Sequence, residues 1–242
     1  MSAIEIYGLT KKYKDTVAVD DLHLDIKEGE LFSLLGVNGA GKTTTIKMLS
    51  CLTRADSGDA TVLGESISKN PAAVKANIGV SPQETAVAQG LSVKENLWLI
   101  CGIYGISKEK TKEKIDNLCA MLGLDSVINK KAGKLSGGYS RRLSIAMALI
   151  SEPKVLFLDE PTLGLDVISR SELWDIINSL KGKVTIILTT HYMEEAESLS
   201  DRIAIMKGGK LLMCDTPDNI KAQTDTDSIE KAFIKLVRGM DK

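Results

Sequence analysis

Apolar residues recur in short runs over the first and last thirds of the chain and in wider, helical spacings through the middle. Runs at residues 3–7, 16–26, 31–35, 60–63, 155–158, 184–189 and 203–206 have the length and the β-branched content of strands, with charged interruptions in the second. Those at 31–35, 155–158 and 184–188 are nearly unbroken, which suits parallel strands buried on both faces. Helical patterns at 42–51, 167–180 and 193–200 follow three of these runs, so the expected fold class is α/β with a mainly parallel sheet. From 92 to 150 the pattern is mostly helical, in VKENLWLICGIYG, KEKTKEKIDNLCAML and SRRLSIAMALI. The expectation is one domain, with an α/β core of about 1–90 and 151–217, an inserted helical subdomain at 91–150 and a C-terminal extension at 218–242. In that extension a polar stretch, KAQTDTDS, leads into an amphipathic helix at 229–237.

Composition narrows the partners. A chain of 242 residues with 43% apolar content can bury one large core. Lys and Arg (31) nearly cancel Asp and Glu (32), so no long-range basic field exists to grip nucleic acid, and none is expected as a partner. The N-terminal MSAIEIYGLTKKYKD lacks the apolar core of a secretory signal, and the apolar stretch at 97–106 is too short to cross a bilayer. Cys51, Cys101, Cys119 and Cys214 form no CxxC pair and read as reduced packing thiols. A cytoplasmic protein is expected, with any membrane role supplied by a partner.

GVNGAGKT at 36–43 fits G-x-x-x-x-G-K-[ST] and lies between a buried strand and a helix, the context the motif requires. Gly36, Gly39 and Gly41, with Asn38 and Ala40 between them, allow successive N–H groups to face phosphate oxygens. Lys42 brings a point charge to the β- and γ-phosphates, Thr43 a hydroxyl for Mg²⁺, and Thr44 continues a helix whose positive end meets the nucleotide. VLFLDE at 155–160 is an apolar strand ending in two carboxylates, and a neighbouring parallel strand would set that end beside the loop. There Asp159 is placed to hold Mg²⁺, and Glu160 to polarise the water that attacks the γ-phosphate of ATP. A solvated strand end is the competing reading for the acidic pair.

A phosphate loop alone leaves kinases, GTPases, helicases and transport ATPases open. LSGGYSRRLSIAMALI at 135–150 places Ser136, Gly137 and Gly138 at the start of a helix, a second anion-seeking set of N–H groups. With LSGG about twenty residues before VLFLDE and a phosphate loop upstream, the chain resembles the ATP-binding cassette (ABC) family over about residues 4–217. That resemblance implies an ABC ATPase fold: a P-loop NTPase core, an N-terminal antiparallel β subdomain and an inserted helical subdomain. It assigns Tyr13 to stacking on adenine, Gln83 to sensing Mg²⁺ and attacking water, and His191 to the γ-phosphate. Asp166, in LGLD at 163–166, falls in the loop that contacts the partner subunit. It implies two cassettes, identical or paralogous, packed head to tail, so that the loop of one and Ser136, Gly137 and Gly138 of the other enclose each ATP. Val37, Tyr139 and Val167 depart from the family's usual proline, glutamine and proline, and none removes a donor, a cation or a carboxylate. His23, in the alternating DLHLDI, is expected to face solvent.

SPQETAVAQGLSVKENLWLICGIYGIS, LDVISRSELWDII and TTHYMEEAESLSDRIAIMKGGKLL resemble the ATPase subunits of ABC-2-type exporters, the drug and sodium efflux group. This implies an integral membrane permease as partner, met near residues 84–91, and a place on the cytoplasmic face of the membrane. The competing readings are a soluble cassette that remodels a ribosome or an assembly scaffold, and a nucleotide-binding regulator without turnover. Glu160 and His191 speak against the second of these.

Overall fold

The computed structural model describes residues 1–239; the last three residues of the extension expected over 218–242 lie outside them. Two sheets organise the chain. β1 (Ser2–Tyr13) and β2 (Thr16–Lys27) form a long hairpin, and β4 (Ser57–Val62) and β5 (Glu65–Ser66) extend it into an antiparallel sheet of order β2-β1-β4-β5. Ile4, Ile6, Leu9, Val19 and Leu22 face its buried side, whereas His23 is exposed, as its alternating setting predicts.

The second sheet runs β10-β9-β3-β8-β7-β6. Its strands are β3 (Leu31–Leu35), β6 (Ile78–Ser81), β7 (Val155–Asp159), β8 (Thr185–Thr190), β9 (Arg202–Lys207) and β10 (Lys210–Asp215). All pairings are parallel except β9 with β10. Every residue of β3, β7 and β8 is buried, because helices or the first sheet cover both faces. The unbroken apolar runs have this cause.

Helices α1 (Lys42–Leu49), α2 (Pro71–Ala76), α3 (Val93–Ile103), α4 (Lys108–Leu122), α5 (Gly137–Leu149), α6 (Val167–Leu180), α7 (Met193–Leu199), α8 (Pro217–Thr224) and α9 (Ile229–Gly239) complete the described residues. Local signals account for their ends. Ser92 and Glu95 form a reciprocal capping box on α3, Ser107 caps α4, and left-handed Gly123 stops it. α5 packs against α3 and α4 at one side and against β6 and β7 at the other. A Cβ at Gly79 of β6 would lie 2.3 Å from the carbonyl oxygen of Ala148, which shows how closely the helix approaches the sheet.

β5, β6, β10, α2 and α8 go beyond the elements read from the sequence. A correction also concerns strand order. The acidic strand β7 does not adjoin the phosphate-loop strand β3; β8 lies between them. The chain visits β3, β7 and β8 in that order, and periodicity carries no information about which strand takes the central place. The four cysteines are free thiols, with Cys101 and Cys119 fully buried.

Candidate active site

The phosphate loop links the carboxyl end of β3 to α1. Two of its glycines are dictated by neighbours as much as by any ligand. Gly41 has φ +103, and a Cβ there would sit 2.4 Å from the carbonyl oxygen of Ala18 in β2. At Gly36 a Cβ would meet the Met206 oxygen of β9 at 2.6 Å and the Ala40 Cβ at 2.7 Å. Gly36 N–H donates to Thr190 O (3.3 Å), and Gly209 N–H, from the turn between β9 and β10, donates to Ala40 O (3.2 Å). Asn38 and Gly39 form the exposed tip, and Thr44 lies half-buried in the first turn of α1. α1 begins without a side-chain cap or an acidic first-turn residue, so nothing in its own sequence opposes the positive end of its dipole.

Lys42 is buried. Its Nζ donates to Gly36 O (2.7 Å) and Val37 O (3.3 Å), and it pairs with Glu160 Oε1 at 3.3 Å. The other Glu160 oxygen, Oε2, lies 3.0 Å from His191 Nδ1. The carboxylate of Glu160 is therefore gripped from both sides. Its backbone sits at φ +47, a left-handed conformation that costs roughly 1–3 kcal/mol for a residue bearing a Cβ. Thr43 Oγ1 donates to Asp159 Oδ1 at 3.0 Å.

The interposed strand β8 explains how these groups are held. The registers align Leu34, Thr189 and Asp159 across β3, β8 and β7. The Thr189 hydroxyl donates to Asp159 Oδ1 (2.5 Å) and accepts from Glu160 N–H (3.0 Å), which also reaches Thr189 O (3.1 Å). On the opposite side of the strand Thr190 receives Gly36, and His191 follows at once. Sequence reasoning missed Thr189, although two consecutive threonines ending an aliphatic strand were a visible signal.

Two further residues were missed. Arg141, buried in α5, donates from Nη1 to Pro82 O and from Nη2 to Gln83 O, both at 2.7 Å, and so fixes the turn after β6 that carries Gln83. Burial pushes its pKa down, against the opposing charge of Asp159. Glu195 of α7 is fully buried; its Oε1 accepts from Thr162 Oγ1 (2.8 Å) and Trp174 Nε1 (3.0 Å), while Oε2 has no geometrically formed hydrogen bond. Burial raises its pKa, opposed by the Thr190, Thr162 and Trp174 donors.

The remaining expected site residues stand apart from this cluster. Gln83 shares the carboxyl edge of the sheet, but its side chain is exposed and forms no hydrogen bond to the cluster. Tyr13 is exposed at the end of β1, with Lys11 Nζ 5.4 Å from its ring centroid. Ser136 and Gly137 are exposed at the start of α5, where Ser136 Oγ accepts from Tyr139 N–H at 3.5 Å. Gly138 is buried against Ser169 of α6. The exposed Asp166 caps α6, accepting from Ser169 N–H (2.9 Å) and Oγ (2.8 Å), and the backbone bond is the main reason its pKa is lowered.

Thr43 and Asp159 present a hydroxyl and a carboxylate oxygen 3.0 Å apart. Magnesium takes hard oxygen donors, few of them from protein, and keeps the rest of its shell for water and phosphate, so this pair fits it. Among the described residues no group of three or more His, Cys, Asp or Glu side chains could hold a metal without such help.

The model of the ABC transporter family matches residues 19–163. The probable multidrug ABC transporter ATP-binding protein YbhF of Escherichia coli (strain K12) is 40% identical over 247 residues. That match covers all of this chain but 43% of YbhF, so the chain spans less than half the length of that relative. The daunorubicin resistance ATP-binding protein DrrA3 of Streptomyces coeruleorubidus is 40% identical over 230 residues, covering 95% of this chain and 73% of DrrA3. A solved ATP-binding subunit of an ABC transporter superposes with a TM-score of 0.86 at 26% identity, covering 97% of this chain and 99% of that one.

Proposed function

The chain belongs to the ABC transporter family, and on that premise we propose that it binds and hydrolyses Mg·ATP to drive a separate membrane permease, in the direction of export. The observation that carries the hydrolytic reading is the contact of the buried Glu160 with both Lys42 and His191, next in the chain to the Asp159 that pairs with Thr43. In this reading the loop amides and Lys42 hold the phosphates. Thr43 and Asp159 hold magnesium, with Gln83 at its outer side; when bound, the ion supplies neutralisation of phosphate charge. Glu160 accepts the proton of the attacking water, and His191 keeps the Glu160 carboxylate oriented. Tyr13 stacks on adenine.

Ser136, Gly137 and Gly138 serve a second cassette, identical or paralogous. The exposure of Ser136 and Gly137, together with that of Val167 and Ile168 beside Asp166, supports a head-to-tail pair. ATP then favours the closed pair because it contacts both halves only there. For the permease, support comes from Leu99, Ile103 and Tyr104, exposed at the end of α3, and from an adjoining groove lined by Leu52, Ala86, Ile100 and Tyr104. No helix among the described residues is long and apolar enough to cross a membrane. The proposed place is peripheral, on the cytoplasmic face, against the permease.

Phosphate release from Mg·ATP by the purified protein tests the enzyme. Lys42→Ala should weaken nucleotide affinity at least about tenfold, the worth of one charge-assisted contact. A protein that neither binds ATP nor releases phosphate overturns the reading. Recovery of one multi-span membrane protein from solubilised membranes tests the partner, and repeated recovery of ribosomes instead would sink it.

A further inference from the structure

We propose that the Thr189 hydroxyl is a positioning group for hydrolysis, fixing the Asp159 carboxylate and the Glu160 backbone in one geometry. A hydroxyl has one proton to give and two lone pairs with which to accept. Here the proton goes to Asp159 Oδ1 and a lone pair takes Glu160 N–H, so a single side chain ties together the two consecutive residues that carry the chemistry. Both partners are buried, and in such surroundings a hydrogen bond to a carboxylate holds its geometry more firmly than one at the surface.

Two consequences follow from the directions of these bonds. Thr43 and Thr189 both donate to Oδ1 of Asp159, so hydroxyls from two different elements fix one carboxylate oxygen. Glu160 is left-handed at φ +47 although it has a Cβ, and its N–H is shared between the hydroxyl and the carbonyl of Thr189. Thr189 thus supports the backbone turn that swings the Glu160 side chain between Lys42 and His191. The inter-strand position is what makes this possible, because β8 lies between the loop strand and the acidic strand.

The inference rests on the hydrolytic reading, and its test separates the two. Thr189→Val keeps the β-branched shape without the hydroxyl, Thr189→Ala removes it without any risk of a clash, and Thr189→Ser retains it. Thr185→Val is the control: it lies at the other end of the same strand, and its hydroxyl accepts from Gly29 N–H, away from the site. In Thr189→Val and Thr189→Ala, kcat should fall about ten- to a hundredfold with KM for ATP within about twofold, since the loop that binds phosphate is untouched. Thr189→Ser should recover to within about threefold, and Thr185→Val should keep the wild-type kcat. In the nucleotide-free protein, amide hydrogen exchange of the peptide containing Glu160 should be faster in the valine and alanine variants than in the wild type and the serine variant. The proposal is overturned by wild-type kcat in Thr189→Val, by a serine variant as slow as valine, by an equal loss in Thr185→Val, or by unchanged exchange. Should the wild type itself release no phosphate, the hydrolytic reading fails, and the exchange comparison still decides the positioning.

Discussion

The carboxyl edge of the central sheet and the start of α5 both present groups suited to phosphate, and they are built in opposite ways. At the sheet edge Lys42, Asp159 and Glu160 are buried; Lys42 pairs with Glu160, His191 meets Glu160 from the other side, and Thr43 and Thr189 bond Asp159. At the start of α5 Ser136 and Gly137 are exposed, and their bonding is limited to the cap of their own helix. A network that satisfies itself is rigid and can hold chemistry in a set geometry. An exposed helix start is open to a ligand or to another molecule. The difference teaches that the first region is held together by bonds within one chain, whereas the second is left open, as the proposed second cassette requires.

The largest expected effect falls on the first region. Glu160→Gln should lower phosphate release about a thousandfold, the range for loss of a general base, while ATP remains bound. It should also trap an ATP-bound dimer in gel filtration; a variant that stays monomeric in saturating Mg·ATP breaks the division of labour between the regions.

Gly137→Asp probes the exposed one. Its Cβ would lie 3.4 Å from Leu165 Cδ2, an ordinary contact, and a carboxylate suits a helix start. The fold should keep its melting temperature and ADP affinity, yet hydrolysis should drop about ten- to a hundredfold as phosphate meets a like charge. Equal loss of ADP binding by the monomer would place both regions in one site and end the comparison.

Gly36→Ala asks whether the loop is shaped by packing. The added carbon would lie 2.6 Å from Met206 O, so overpacking should reduce stability by about 1–3 kcal/mol, seen as a lower melting temperature even without nucleotide. An unchanged melting temperature would assign this glycine to ligand approach alone.

The smallest effect concerns Glu195, which links Thr162 and α6 to the segment after His191. Burial raises its carboxyl pKa, so the folded state holds the proton more tightly and stability declines as pH rises through the folded-state value. Glu195→Gln keeps an acceptor and cannot ionise. It should melt higher than the wild type by about a few degrees at most at neutral pH, with the gain vanishing in acid. A gain independent of pH would assign the effect to packing.

Much of this site was legible in the linear order. The spacing of Gly36, Gly39, Gly41, Lys42 and Thr43 is local, set by one loop between a strand and a helix, and the Asp159–Glu160 pair ends an unmistakably apolar strand. His191 depended on resemblance, since one histidine after a strand has no local signature. Strand β10 was overlooked although Gly208 and Gly209, both at positive φ, form the two-residue turn that marks a hairpin. Its sequence, KLLMCD, does not alternate, because only part of it is covered.

By itself the sequence determined the kinds of element, the phosphate loop and the acidic strand end, because periodicity and motif spacing act over a few residues. Tertiary structure alone decided that β8 stands between β3 and β7, that Thr189 bridges Asp159 and Glu160, and that Arg141 holds the Gln83 turn. These contacts join residues from about 30 to nearly 60 positions apart, and lateral strand order is fixed by the packing of whole faces, for which no short stretch of sequence carries a signal.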